Sequence, residues 1–132
     1  MNSGGLQNVD GTANFATIND GGVQLVQNGG HANKTVVRDG GVQDVKFGGA
    51  ASDSILIGGI QSVSGTAGRT VIGDDAIQHV KTGGLAFGSL VNAGGLQNVD
   101  GTATSTVVND DGIQLVNSGG LARATTVNSG GP

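Results

Sequence analysis

The ten residues Gly-Gly-Leu-Gln-Asn-Val-Asp-Gly-Thr-Ala stand at 4–13 and again, unchanged, at 94–103. Between and after these copies the same theme returns in varied form. Its beat is glutamine: Gln7, Gln24, Gln43, Gln61, Gln78, Gln97 and Gln114, spaced 17, 19, 18, 17, 19 and 17 residues apart. An aliphatic residue precedes each glutamine (Leu6, Val23, Val42, Ile60, Ile77, Leu96, Ile113). Valine follows two places later every time, from Val9 to Val116. A fixed internal period of this size is the mark of a stacked repeat architecture.

A second half completes the unit. Each copy carries an alanine (Ala13, Ala32, Ala51, Ala67, Ala86, Ala103, Ala122). Three residues on comes a small, usually hydroxylated residue: Ala16, Thr35, Ser54, Thr70, Ser89, Thr106, Thr125. Five residues after the alanine is an aliphatic: Ile18, Val37, Leu56, Ile72, Val91, Val108, Val127. Length changes are confined to turns. The first turn is either short, as Asp10-Gly11-Thr12, or longer by two with a glycine pair, as Gly29-Gly30. Strands must hold register while loops tolerate insertion, so the constant parts read as strands.

Glycine pairs forbid helices of useful length, since each interior glycine costs about 1 kcal/mol. The intervening segments are short and rich in Val, Ile and Thr, the strand signature. One such unit cannot bury its own apolar side, but stacked units can. The expected fold is all-β: a single β-solenoid over 1–132, with a right-handed β-helix the expected hand. It has seven rungs of 17–19 residues, at 4–20, 21–39, 40–57, 58–74, 75–93, 94–110 and 111–129. Two short strands per rung are expected. At the ~4.8 Å strand spacing, seven rungs make a rod about 30 Å long.

Stacking turns equal positions into ladders. Gln and the Val two places on share parity, so strict alternation puts both on one face. The expectation is Val inside and Gln partly buried near a corner, with amide-to-amide bonds along the stack; bonding of Gln to turn backbone is the alternative. Beside the last aliphatic column runs a second apolar one: Val36, Ile55, Val71, Leu90 and Val107. Adjacent residues face opposite ways, so this column should lie outside, either as a self-association ladder or as a wet face of good strand formers.

Composition excludes several functions. The net charge is −4, and the six basic residues never form a run, which argues against nucleic acid. No stretch is apolar enough for a membrane helix. No signal sequence is evident, and the chain reads as an excised fragment. Cysteine is absent. All ten acidic residues are Asp, a turn former, and none is Glu. The calcium nonapeptide GGxGxDxUx is not matched, because no G-x-D follows the glycine pairs. Asp74-Asp75 and Asp110-Asp111 read as turn residues rather than ion ligands. His31 and His79 do not recur in other rungs and have no Cys or Glu at metal-ligand spacing. Neither metal nor cofactor is expected. Catalysis needs convergent, non-repeating polar groups; here the repeat accounts for nearly every polar residue, so the chain is expected not to be an enzyme. Asn33-Lys34-Thr35 is a single formal N-glycosylation acceptor.

The rung GGVQLVQNGGHANKTVVRDGG (21–41), echoed by GIQLVNSGG (112–120), preceded at 111 by Asp, and by ATTVNSGG up to 131, resembles the repeat of bacterial autotransporter adhesins. The nearest type is the adhesin involved in diffuse adherence. The resemblance covers the whole chain. It implies the stalk of a secreted passenger, displayed outside the outer membrane, with adhesion to host cells and self-association between bacteria. It also implies a glycosyltransferase partner, since some members carry heptose on Ser and Thr. Thr12, Thr66 and Thr102, in the short turns, are the candidate acceptors. Two departures stand out: Asp75-Ala76 replaces a glycine pair, and Asp111-Gly112 keeps half of one. The alternatives are a passive spacer in a large exported protein and a polysaccharide-processing solenoid enzyme. An uncapped stack also exposes strand edges, so end-to-end stacking of like solenoids is expected.

Overall fold

The computed structural model describes residues 4–128, and those residues form a three-sided β-solenoid. Each rung contributes three strands, not the two expected. In the second rung they are Val23–Val26, His31–Asn33 and Val36–Arg38. Three sheets of seven strands result. Every strand pairs in parallel with its counterpart one rung away: Gln24 lies beside Gln7 and Gln43, Ala32 beside Ala13 and Ala51, and Val37 beside Ile18 and Leu56.

The third strand exists because of a bend after the alanine. One residue per rung there takes a left-handed conformation: Phe15, Lys34, Asp53, Arg69, Gly88, Ser105 and Ala124, with φ between 53° and 68°. Seven different side chains occupy this column, and only one rung uses glycine. Left-handed geometry costs an L-residue about 1–2 kcal/mol. The register of the strands on both sides holds it in place. Its amide N–H bonds the neighbouring rung, as Lys34 N–H does to Ser52 O at 2.9 Å.

The core follows from the columns. Val26, Val45, Val63, Val80 and Val99 of the first sheet are fully buried, as are Ala32, Ala67, Ala86 and Ala103 of the second. Ile18, Val37, Leu56, Ile72 and Val91 fill the third side. Burying one such aliphatic side chain stabilises by about 1.5–3 kcal/mol. Gln24, Gln43, Gln61, Gln78 and Gln97 are also wholly buried rather than half-buried at a corner. They share a face with Val because the four-residue strand stays extended through both.

The two residues of a glycine pair do different jobs. Gly29 has φ +83° and open space around it. Gly30 has an ordinary φ, but a Cβ there would sit 2.0 Å from the Val9 carbonyl oxygen of the previous rung. In this pair the first position is a conformational need and the second a contact need. At the corner between third and first sheets Asp75 (φ 60°) and Asp111 (φ 64°) meet the same conformational need, and Ala76 fills one second position.

Rung length varies at two corners. The corner between first and second sheets gains or loses two residues, as the sequence indicated. A further change sits at the corner between third and first sheets. There Arg38-Asp39-Gly40-Gly41 in one rung becomes Ile57-Gly58-Gly59 in the next, with Arg38 still paired to Ile57. The residue omitted is the aspartate.

Candidate interaction surface

The interior consumes most of the polar columns. Gln24 Nε2 donates to Gln7 Oε1 at 2.7 Å, Gln43 to Gln24 at 2.7 Å, Gln61 to Gln43 at 2.6 Å, and so on up to Gln114. Every donation runs toward the N-terminal rung. From Gln24 to Gln114 each Oε1 also accepts the hydroxyl of its own rung's column, as Thr35 on Gln24, Ser54 on Gln43 and Thr70 on Gln61, while the first rung has Ala16 there. Among the described residues no buried side-chain N or O lacks a partner. A saturated network of this kind rigidifies the stack. Amide bonding along the stack is therefore as expected, and bonding to turn backbone is not needed to account for it.

Two apolar ladders line the outside. Val36, Ile55, Val71, Leu90 and Val107 stand in register on the third sheet, facing out as parity required, with Ile55 40% exposed and the others half-buried. The residues before each Gln form a second ladder on the first sheet: Val23, Val42, Ile60, Ile77 and Leu96. This second ladder was not singled out from sequence as a surface, though the parity opposite to buried Gln already placed it outside. All three Phe are exposed. Phe47 is 80% and Phe15 72% exposed, and the Phe87 ring covers the bare backbone of Gly68.

Charge is segregated by corner. Six of the ten Asp (Asp20, Asp39, Asp74, Asp75, Asp110, Asp111) lie at the corner between third and first sheets, joined there by Arg38 alone of the basic residues, a net of −5. That corner runs between the two apolar ladders. The left-handed corner is instead basic, with Lys34, Arg69 and Arg123 against Asp53. Arg69 Nε bonds Asp53 Oδ1 at 2.8 Å, and this bond, with the nearby positive charge of Lys34, holds the Asp53 carboxyl below its ordinary value. The Lys34 ammonium sits 5.5 Å from the centre of the Phe15 ring. At the remaining corner His79 Nε2 lies 2.8 Å from Asp100 Oδ2, and Asn117 Nδ2 donates to Asp100 Oδ1 at 2.7 Å. Those contacts, the histidine first, lower the Asp100 pKa.

Thr12, Thr66 and Thr102 open strands of the second sheet rather than sitting within turns. They share one outward column but are not neighbours in it: His31, Ala50 and Leu85 intervene. Thr12 is exposed; Thr66 and Thr102 are half-buried. Thr35 of the formal sequon is fully buried, with its hydroxyl on Gln24, and Asn33 Nδ2 donates to Asn14 Oδ1 at 3.0 Å. His31 is exposed at a strand start. Asp75 and Asp111 are the left-handed turn residues of their rungs, in keeping with the turn reading. Among the described residues no three His, Cys, Asp or Glu side chains gather as a metal site. The omitted aspartate leaves an open notch of about 530 Å³ in the acidic corner, lined by Asp20, Asp39, Asp74 and Asp75 with Ile57, Gly58, Asn19 and Arg38.

Comparison with family models gives no match, and comparison with curated proteins gives none. Among solved structures, a TibC-catalysed hyper-glycosylated fragment of TibA is similar, with 41% sequence identity and a TM-score of 0.90. The similarity covers 95% of this chain and 50% of that one, so the chain spans half the length of that fragment.

Proposed function

We propose that this chain is a stalk segment of a bacterial autotransporter adhesin passenger, carrying adhesion or self-association on its repeat face. The observation that carries the reading is the rod itself. One cross-section repeats through seven strands of each of three sheets, and the chain is similar to the TibA fragment at 41% identity over 95% of its length. A surface that repeats at every rung offers many weak contacts in line, and linked weak contacts gain strength by avidity. The in-register ladder of Val36, Ile55, Val71, Leu90 and Val107 is the face assigned to that contact.

The same reading takes the chain as non-enzymatic, exported and displayed at the cell surface. It takes a glycosyltransferase as a partner, because the similar TibA fragment is itself hyper-glycosylated by TibC. Thr12, with its exposed side chain, is the most accessible of the three candidate acceptors.

Latex beads coated with the chain test the adhesive part. Coated beads should clump together or adhere to cultured epithelial cells. Val71→Asp, which puts a charge in the middle of the ladder, should reduce this severalfold while the circular dichroism spectrum stays that of the parent. Beads that neither clump nor adhere at any coating density would leave only the passive spacer.

A further inference from the structure

We propose that Asn28-Gly29 is a latent deamidation site, held unreactive by the rung stacked on it and released when that rung leaves. The inference stands apart from the stalk reading and needs no co-reactant beyond water.

The chemistry is general to asparagine followed by glycine. The Gly29 backbone nitrogen attacks Asn28 Cγ, the side-chain nitrogen leaves as ammonia, and a succinimide ring closes. Water then opens the ring. Attack at Cγ restores the ordinary backbone and leaves aspartate. Attack at the backbone carbonyl carbon leaves isoaspartate, with the chain now running through Cβ and Cγ. One water enters and one ammonia leaves, and nothing is oxidised. Glycine favours closure because no side chain hinders the ring. The chain holds a single Asn-Gly pair, at 28–29.

The stack restrains both reacting ends. Asn28 and Gly29 are exposed, so water reaches them. The turn 27–30 is closed by Gly30 N–H on Gln27 O at 2.8 Å, with Gly29 at φ +83°. In a type II turn of this kind ψ before the glycine is about +120°, which faces the glycine nitrogen away from the preceding side chain. Ring closure therefore requires the peptide between Asn28 and Gly29 to rotate. The third rung resists that rotation, since Gly29 N–H donates to Gly48 O at 2.9 Å. It holds the carboxamide too. Asn28 Oδ1 lies 2.0 Å from where a Cβ on Gly48 would stand, so it rests on bare backbone.

Position strengthens the case. The long first corner at 27–30 is followed by another long one, at 46–49. The long corners at 46–49 and 81–84 are followed by short ones, at Ser64-Gly65 and Asp100-Gly101. Among the described residues the Gly48 and Gly83 N–H groups make no backbone bond like that of Gly29. Phe47 and Thr82 precede the glycine there, and asparagine does not. The reactive pair stands where the next rung can hold the glycine nitrogen.

The two products have different fates. Asp20, Asp39 and Asp74 rest on Gly40, Gly58 and Gly94 of the next rung as Asn28 rests on Gly48. Aspartate at 28 therefore still fits the stack. Isoaspartate lengthens the backbone within a turn whose flanking strands keep a fixed register, so that corner no longer stacks. A rung that opens and stays open is marked, and the isoaspartate mark keeps it open.

The test is peptide mass mapping during ageing at body temperature and mildly alkaline pH, with isoaspartate and aspartate peptides separated by chromatography. The folded chain should lose Asn28 at least about tenfold more slowly than the chain in urea, because closure waits on local opening. Gly48→Ala brings a Cβ to 2.0 Å from Asn28 Oδ1 and displaces the carboxamide. Ala124, at φ 55°, shows that alanine adopts left-handed geometry in this fold. The variant should speed the loss of Asn28 severalfold. Gly83→Ala makes the same change in a corner with nothing within 4 Å and should leave the rate unchanged. Equal rates in the folded chain and in urea, or equal rates in the two variants, would overturn the proposal. Should Gly48→Ala fail to fold, the parent chain in urea below its unfolding midpoint decides. Hydrogen exchange at Gly29 N–H and loss of Asn28 should rise there by the same factor, and divergence of the two would overturn the role of the third rung.

Discussion

Replacing Gln61 by leucine tests how the solenoid spends its buried polar groups. Gln61 Nε2 donates to Gln43 Oε1, and its Oε1 accepts from Gln78 Nε2 at 2.8 Å and from Thr70 Oγ1 at 3.2 Å. Leucine is close in size and apolar, so packing changes little. What changes is three hydrogen bonds. Gln43 Oε1 keeps Ser54 as a donor at 3.1 Å, so it is not orphaned. The Gln78 amide proton and the Thr70 hydroxyl lose this acceptor in a side of the core that is fully buried. A buried polar group left unsatisfied costs about 1–3 kcal/mol. Two of them, less the gain of about 1–2 kcal/mol from burying a more apolar side chain, give an expected loss of about 1–4 kcal/mol. Gln114→Leu gives the contrast. Its Nε2 bonds Gln97, which keeps Thr106, its Oε1 accepts from Thr125 Oγ1 at 3.2 Å, and both Gln114 and Thr125 are only half-buried, so water replaces the amide. The loss there should stay below about 1 kcal/mol. Urea unfolding followed by circular dichroism measures both. Thr70→Val in the Gln61→Leu background removes one orphan and should recover part of the loss, so the double variant is less destabilised than the sum of the singles. Equal losses at 61 and 114, or additive behaviour of 61 with 70, would refute the account of the ladder.

Other outcomes follow from the corners. Gly30→Ala brings a Cβ to 2.0 Å from the Val9 carbonyl oxygen and should cost about 1–3 kcal/mol in a thermal melt. Gly29→Asn, one residue earlier, keeps the left-handed geometry that Asp75 and Asp111 adopt and should cost under about 1 kcal/mol, the ordinary penalty of that geometry for a residue that tolerates it. Reversal of that order would undo the division of labour within the pair. Asp53 and Asp100 have lowered folded pKa values, so each stabilises the fold above its unfolded pKa and ceases to as pH falls through the folded one. The urea midpoint should therefore drop as pH falls below about 4, and Asp100→Asn should soften that drop. A midpoint that rises on acidification would contradict the sign.

Much of this was legible in the sequence, because the repeat displays its own register. Gln, Val, Ala and the last aliphatic each kept one place, and parity sent Val36 and its column outward as found. The third strand was missed because its bend carries no recurring turn residue, only Asp53 and Gly88 among seven different residues. Phe15, Lys34 and Arg69 sit where a left-handed glycine or asparagine would have signalled a corner. A subtler signal was available. Ala32 and Thr35 are both buried yet three residues apart, an odd offset that no straight strand can bury on one face. The depth of the glutamines was underestimated because one amide looks costly to bury. Only the whole column makes it cheap, each amide serving the next. The notch depends on a single missing aspartate, visible as the 18-residue spacing from Gln43 to Gln61 but not assignable to a corner without the strand pairing.

The parallel stacking has a mechanical side. Each rung holds 17–19 residues in a rise of about 5 Å, and the chain passes from rung to rung in series. Pulled from its ends, such a rod would load its terminal rung first, and the strands of that rung would peel from the next. At about 3.4 Å per extended residue, each peeled rung releases roughly 60 Å of thread. A tether built this way lengthens more than tenfold under tension, one step at a time, while the rungs not yet reached keep their shape and whatever they hold.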